Sequence, residues 1–352
     1  KITICGFDAR GRSVPCQPAI QIASFSSRPK APGGLVNWPF RASAPASAEI
    51  SGAGSCVSIA RTSARLWNGM IVFPDCTFSH PGLPQAYHQR QPGTAALPPI
   101  RDIALRLPAD LLSAFTLLSR LPLPNHQGTG AASAWAWPLV GAVMGAFGAA
   151  LASAALWLGV TPGVAAVLVL ALAAMLTGGL HEDGLSDTAD GLYGGWTRER
   201  RLEIMKDSRV GSYGVLALVL VTLARWSALT ALLVYGGPTH GFWAALIATG
   251  ALSRVPMVLM MALLPNARGE GLSHATGRPG QVTALVALGL AVGIAGVLVG
   301  WAMLPMLAAA LGIGVLLSVV ALRRIGGQTG DVLGASQQLA EAGCLAVLSA
   351  RL

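Results

Sequence analysis

The sequence predicts an all-α fold, a polytopic transmembrane helical bundle with six to seven spans, preceded by a largely disordered N-terminal extension. Composition is the first reason: 53% of the 352 residues are hydrophobic, only 11% are charged, and the mean hydropathy is positive, as in integral membrane proteins. The second is that apolar stretches long enough to cross a bilayer core of about 30 Å recur from residue 135 onward. The third is that the connections between these stretches alternate sharply in charge.

Residues 1–100 differ from the rest in composition. They are rich in Ser, Pro, Gly and Arg and show neither helical nor alternating periodicity. They contain Cys5, Cys16, Cys56 and Cys76 without CxxC spacing, so neither a zinc site nor a disulfide framework is predicted. We expect this part to be disordered or a non-native extension, such as a translated upstream region, without a signal peptide. Residues 101–352 form the predicted transmembrane transferase domain.

The predicted spans are apolar runs separated by short connections. They lie near 135–158, 163–180, 214–235, 242–263, 282–300 and 302–321, and 338–350 is a seventh span or an interfacial helix. Among the connections, only alternate ones contain Lys or Arg, and the segment before the first span is also basic. By the positive-inside rule, these basic segments face the cytoplasm. Basicity without a nucleic-acid-binding fold signature is weak support for such a partner, and we expect the lipid bilayer but no nucleic acid.

An acidic run follows the second span, from His181 to Gly191. On a helix, at about 100° per residue, Asp183, Asp187 and Asp190 fall within about 60° of one another. Carboxylates this close either raise one another's pKa or need a cation, and an all-oxygen set suits Mg²⁺, with Mn²⁺ as a second candidate. Such ions could clamp the two oxygens of a phosphoryl transfer. The alternative is a solvated helix end paired with nearby arginines.

The glycines of this run and the segment after it supply further candidates. Gly184 and Gly191 leave room for a phosphate, or for a neighbouring helix, to approach the backbone. Lys206 and Arg209 lie three residues apart, so they can bind a diphosphate as a point charge and a fork. Basic residues beside a span are also ordinary topology signals, and that alternative stays open.

Two other polar features fall within or after the spans. Arg254 and Arg225 lie inside apolar runs, where an isolated arginine is costly, so each is expected to face a cavity or an anionic group unless it snorkels. Arg254 is the stronger candidate for substrate binding. Arg323 and Asp331 belong to a glycine-rich island that could bind substrate or serve only as a connector.

Several of these runs together resemble one family, the cobalamin synthases, which are adenosylcobinamide-GDP ribazoletransferases. The resemblance covers roughly residues 103–352 in order. It is carried by the runs FTLLSRLPLP at 115–124, WPLVG at 137–141, TGGLHEDGLSDTADG at 177–191, IMKDSRVG at 204–211 and TGDVLG at 329–334. The chain departs from the family pattern at Glu182, where an apolar residue is expected, and at Gln328, where an aromatic residue is expected.

The resemblance implies a polytopic enzyme of the bacterial cell inner membrane, with its active site facing the cytoplasm. Its substrates would be adenosylcobinamide-GDP and α-ribazole or the 5′-phosphate, its cofactor Mg²⁺ and its by-product GMP. The acidic motif maps onto Asp183, Asp187 and Asp190. The basic run maps onto Lys206 and Arg209. Assembly with other enzymes of the corrinoid pathway is also expected.

Two questions stay open from the sequence. The general base is either His181 or one of the aspartates. The function has two alternatives: a CDP-alcohol phosphatidyltransferase-like lipid enzyme, whose Asp-Gly-x-x-Asp pattern is similar, and a cation-binding membrane transporter or scaffold.

Overall fold

The structure, a computed structural model, describes residues 100–352, with side chains from 107 onward, and four short segments before them. The chain divides into a unit ending at His88 and a second unit from Gln89. In the first, strands β1 (Thr3–Ile4) and β2 (Gln17–Pro18) pair antiparallel, as do β3 (Arg65–Trp67) and β4 (Met70–Val72). The predicted disorder of residues 1–100 otherwise lies outside the described residues.

The second unit is helical, which confirms the predicted fold class. Helix α1 (Ile100–Leu118) is followed by a 3₁₀ turn at Gly130–Ala136. The remaining helices are α2 (Trp137–Trp157), α3 (Pro162–Thr177), α4 (Leu180–Gly194), α5 (Arg198–Ile204), α6 (Ser212–Gly236), α7 (His240–Ser253), α8 (Val255–Leu263), α9 (Leu272–Thr276), α10 (Gln281–Val299), α11 (Met303–Ile325) and α12 (Gly330–Ser349).

In the described part, four helical stretches are long and apolar enough to cross a membrane, or five if α3 and α4 count as one bent span. The last stretch, Gln281–Ile325, contains both α10 and α11. Its two ends lie beside the same segment, because Arg278 donates to the carbonyl of Ala262 and Gln328 donates to that of Pro265. The chain therefore reverses near Gly300, where φ is +55°. The count of six to seven spans stays a prediction.

The outer surface of the bundle is apolar. Helix α6 exposes Leu216, Val219, Leu220 and Leu223, each about half accessible. Their spacing of three and four residues forms one continuous stripe along the helix. A contiguous apolar surface of this kind is unfavourable in water and suits lipid, so the chain is a multi-pass membrane protein.

Glycines allow α2 and α7 to pack closely. A Cβ atom built on Gly141 would lie 2.0 Å from the carbonyl oxygen of Gly250, and one on Gly145 would lie 2.3 Å from that of Leu246. Small residues at one face let two membrane helices approach backbone to backbone, where van der Waals packing replaces the hydrophobic effect. This pair forms a rigid side of the bundle.

A right-angled bend separates α3 from α4. Gly178 and Gly179 both adopt left-handed backbone conformations, with φ of +66° and +71°, which end α3 and start α4 in a new direction. The two helices lie 90° apart. The acidic run is therefore helical, as predicted, but it forms a separate helix, α4, which leaves the direction of the spanning helix α3.

Helix α12 runs through the centre of the bundle. Near its start, Gly334 packs against the backbone of His181, and further along, the Cys344 thiol lies 3.5 Å from the carbonyl oxygen of Met306 at the start of α11. More than half of its residues are buried. The sequence-based start at residue 338 was wrong by about two turns, because the first turns of α12 are polar and glycine-rich.

Candidate active site

The connections between the helices meet at one end of the bundle. Arg198 donates to the carbonyl oxygens of Ile325 at 2.7 Å and Ala267 at 2.8 Å. Arg324 donates to that of Leu192 at 2.9 Å. These contacts join the segments before α6, after α8 and after α11. The basic connections predicted to share one side of the membrane therefore do lie together.

Three carboxylates cluster at this end, where α4 meets the start of α12. Asp183 is exposed and Asp187 is half-buried, and both belong to α4. Burial and the neighbouring carboxylates of Asp183 and Asp331 raise the pKa of Asp187 to about 7. The pKa of Asp331 is also raised, chiefly by burial, although its carboxylate forms a 2.8 Å ion pair with Arg268. The cluster has more negative than positive charge.

Asp190 faces a different neighbour. Its two carboxylate oxygens accept hydrogen bonds from the backbone N–H groups of Gly211, at 2.7 Å, and Gly214, at 2.9 Å. These groups start α6, so Asp190 caps that helix and is buried in doing so. A Cβ atom on Gly211 or Gly214 would lie within 2.4 Å of the Asp190 carboxylate. Both glycines are therefore required for the cap.

The metal site predicted at Asp183, Asp187 and Asp190 stays a prediction. Within residues 107–352, no group of three His, Cys, Asp or Glu side chains stands ready to hold a metal ion. The donor set of Asp183, Asp187 and Asp331 still fits Mg²⁺ or Mn²⁺ by its chemistry, since all donors are carboxylate oxygens and Arg268 compensates only part of their charge. The exposed side chain of Asp183 is free to turn toward the other two.

Lys206 and Arg209 both lie at the surface of the α5–α6 connection. Lys206 pairs with Glu270, and Arg209 with Asp207 at 2.6 Å. Hydrogen bonds from Arg209 lower the pKa of Asp207 to about 2. Since all four side chains are substantially exposed, these pairs are easily exchanged for an anionic ligand.

A cavity of about 110 Å³ opens at the same end, between α4, α12 and the segment that joins α8 to α9. It is lined by His181 and the charged residues Asp183, Arg268, Glu270 and Asp331, together with two hydroxyl-bearing residues and apolar side chains. Lys206 stands at its rim through its pair with Glu270. The structure thus brings predicted residues from the acidic run, the basic run and the glycine-rich island to one place.

His181 is almost fully enclosed. It is 1% exposed, and its Nε2 atom has no hydrogen-bond partner among the described residues. An imidazole in this position can touch a ligand that fills the cavity but has little access to water. It is therefore a weaker candidate for the general base than the carboxylates beside it.

The two glycines of the acidic run serve helix packing. A Cβ atom on Gly184 would lie 2.8 Å from the carbonyl oxygen of Asp331, and one on Gly191 would lie 2.1 Å from the Met205 side chain. The sequence left two alternatives for these glycines, a phosphate or a neighbouring helix near the backbone. In the structure a neighbouring helix lies against each glycine. Arg323 is exposed at the end of α11 and does not line the cavity.

Arg254 and Arg225 lie in a separate buried cluster rather than in this cavity. Arg225 donates to Glu341 at 2.5 Å and to Gln338, and lies 3.7 Å from Glu182. Arg254 lies 3.5 Å from Glu341, at the break between α7 and α8. Each arginine therefore faces an anionic group, which is one of the two surroundings predicted for a buried arginine here. The unexpected Glu182 is explained as a partner of this cluster.

Sequence reasoning missed three charged residues of these clusters. Arg268 and Glu270 belong to the glycine-flanked run ARGEG after α8, which resembles the polar islands that were singled out, and that signal could have found them. Glu341 gives no local signal. Only the central position of α12 in the bundle shows that Glu341 pairs with two arginines.

The fold and the site together define a multi-pass membrane protein with a carboxylate-lined cavity at the end of its helical bundle where the charged connections meet. The chain belongs to the CobS family, described as cobalamin-5-phosphate synthase, which matches residues 110–349. This range contains every helix from α2 to α12 and all the site residues described above. No solved structure matches the chain.

Named relatives agree with the family. A protein of Bradyrhizobium diazoefficiens is 43% identical over 256 residues, which is 69% of this chain and 94% of the relative. One of Azorhizobium caulinodans is 44% identical over 67% of this chain and 93% of the relative. One of Mesorhizobium japonicum is 41% identical over 69% and 93%. Each carries the name adenosylcobinamide-GDP ribazoletransferase.

Proposed function

We propose that the chain is a membrane-embedded transferase that joins adenosylcobinamide-GDP to α-ribazole, or to its 5′-phosphate, and releases GMP. The observation that carries the proposal is the carboxylate cavity, which lies wholly within the region that matches the family. The names of the relatives support this reaction over transfer of a phosphatidyl group and over ion transport.

The donor is a diphosphate, so the cavity must offset negative charge. Lys206 and Arg209 can leave their exposed partners and approach the phosphates, and Arg268 lies deeper beside Asp331. Asp183, Asp187 and Asp331 would hold a divalent cation, which supplies positive charge between the carboxylates and the diphosphate. Asp190 would support these groups indirectly, by fixing α4 to the start of α6.

In the reaction, an acceptor hydroxyl oxygen forms a bond to the phosphorus on the corrinoid side. The bond from that phosphorus to the bridging oxygen breaks, and GMP leaves with the bridging oxygen and its electron pair. In α-ribazole 5′-phosphate the 5′ oxygen is already esterified. The attacking oxygen of that acceptor is therefore a ribose hydroxyl other than the 5′ one. The hydroxyl proton passes to a carboxylate of the cluster, because the carboxylates are more accessible than His181.

The same proposal places the protein in the bacterial inner membrane with the cavity toward the cytoplasm. The basic segments share the end of the bundle that contains the cavity, and the positive-inside rule assigns that end to the cytoplasm. The donor would then reach the cavity from the cytoplasm without crossing the bilayer.

The test is transfer by the purified full chain in detergent or nanodiscs. Adenosylcobinamide-GDP, α-ribazole 5′-phosphate and Mg²⁺ should yield equal amounts of GMP and of joined corrinoid product, resolved by chromatography and mass spectrometry. Chelation of the cation with EDTA should stop both. Consumption of a CDP-lipid in place of the corrinoid donor, or loss of donor without GMP, would refute the proposal.

A further inference from the structure

A second, larger pocket adjoins the carboxylate cavity. It has a volume of about 510 Å³ and is formed by the end of α1, the connection from α1 to the 3₁₀ turn, the bend between α3 and α4, and α9. The two share a wall made of Leu117, Leu180, Leu272 and Thr276. A volume of this size is typical of pockets for small molecules, whereas the carboxylate cavity alone is too small for one.

The chemistry of this pocket is opposite to that of the carboxylate cavity. Its polar lining consists of hydroxyl groups, including Thr116, together with the guanidinium of Arg120 and the imidazole of His126, and no carboxylate of residues 107–352 lines it. Among the described residues, Arg120 has no carboxylate within ion-pair distance. The pocket therefore favours an anionic, hydroxyl-bearing ligand.

The backbone holds Arg120 at this place. Its N–H donates to the carbonyl oxygen of Leu176 at 2.7 Å, at the end of α3. A Cβ atom on Gly178 would lie 2.6 Å from the Arg120 Nε atom, so the arginine side chain lies directly over the left-handed glycine of the bend. The bend that positions the acidic helix thus also positions Arg120.

We propose that this second pocket binds the acceptor of the reaction, a phosphorylated nucleoside, and that Arg120 binds its phosphate. The inference rests on the proposed function. In a phosphoryl transfer, the attacking oxygen must enter opposite the leaving group, so acceptor and donor need adjoining sites. The shared wall provides this arrangement, with the donor diphosphate at the carboxylates and the acceptor on the side of α1.

The kinetic test compares Arg120→Gln with Arg200→Gln, which removes an exposed arginine of α5 outside both pockets. Loss of a charge-assisted contact should raise the KM for α-ribazole 5′-phosphate about 10- to 100-fold in R120Q, with the donor KM within about twofold of wild type. The preference for the 5′-phosphate over unphosphorylated α-ribazole should fall by the same factor. Arg120→Lys should restore part of it, and R200Q should match wild type.

A binding measurement keeps the inference separate from the proposed function. Titration of α-ribazole 5′-phosphate into purified protein by calorimetry should show binding to wild type and weaker binding to R120Q and, to a smaller degree, R120K. If wild type binds this ligand in an Arg120-dependent way but releases no GMP, the proposed function fails and the pocket stands. Unchanged acceptor binding in both variants, or an equal rise in the donor KM, overturns the acceptor site.

Discussion

Glu182 and Asp183 are neighbours in the chain but belong to two charge clusters of opposite character. Their side chains leave α4 about 100° apart. Glu182 joins the buried cluster of two arginines and two glutamates, in which the formal charges balance. Asp183 and Asp331 line the cavity and lie near Asp187, and in this carboxylate cluster Arg268 opposes three carboxylates. Balanced charge stabilises the bundle, and unbalanced charge is available for a ligand.

The largest effect is expected where the unbalanced cluster is altered. Asp187→Asn should lower the rate of GMP release about 10³- to 10⁴-fold, about 4–5.5 kcal/mol of transition-state stabilisation, because it removes a charged ligand of the proposed cation. Folding should be retained, since the change relieves repulsion among carboxylates. Size-exclusion chromatography and thermal unfolding provide the control. Turnover close to wild type would refute the assignment of Asp187.

In the buried cluster of Arg225, Arg254, Glu182 and Glu341, removal of a charge should lower the stability of the protein. Arg225→Met leaves one negative charge of the two glutamates uncompensated in the bundle and should destabilise the protein by about 3–5 kcal/mol. The double variant R225M with Glu182→Leu leaves the Arg254–Glu341 pair balanced, so its unfolding temperature should lie above that of R225M alone. If the double variant is the less stable of the two, the cluster is not held by charge balance.

Asp190 lies near Asp183 and Asp187 in the sequence but contacts the start of α6, so its substitution tests which of the two determines its role. Asp190→Asn retains one acceptor oxygen but loses a charge-assisted hydrogen bond to the start of α6, which should cost about 1–3 kcal/mol of stability. Transfer should fall far less than in D187N when both are assayed at saturating Mg²⁺. Equal loss of activity in the two variants, with unchanged unfolding temperature for D190N, would make Asp190 a metal ligand instead.

The smallest effect on stability is expected at the exposed rim. Arg209→Gln should leave the unfolding temperature unchanged, because its pair with Asp207 is fully solvated. Its kcat/KM for the donor should fall by up to about tenfold, with a weaker dependence on salt than in wild type. A stability loss comparable to that of D190N would show that Arg209 serves the fold rather than the donor.

Local pattern was sufficient for much of the fold. The apolar runs predicted α2, α3, α6, α10 and α11 to within a few residues, because lipid selects for continuous hydrophobicity. Helical periodicity likewise predicted the shared face of Asp183 and Asp187. These features depend on residues close together in the chain.

Features that depend on distant contacts were not predictable. Asp331 was a candidate from the glycine-rich island, but its approach to Asp187 was not predicted, because it comes from a helix that begins far along the chain. Asp190 turns away because Gly211 and Gly214 admit its carboxylate. The start of α12 was missed for a related reason. Other helices rather than lipid surround that helix, so it tolerates the polar residues Gln337 and Gln338 that lower its hydropathy.

The central position of α12 has a consequence for biogenesis. Arg225 and Arg254 are synthesised and enter the membrane before Glu341, the carboxylate that neutralises both, has left the ribosome. Until α12 arrives, Glu182 is the one carboxylate of the cluster that opposes the two arginines, so the nascent bundle carries an uncompensated positive charge and remains open at its middle. Insertion of α12 therefore acts as a closing step for this cluster, so chains interrupted before α12 should be recognised by quality-control proteases instead of accumulating.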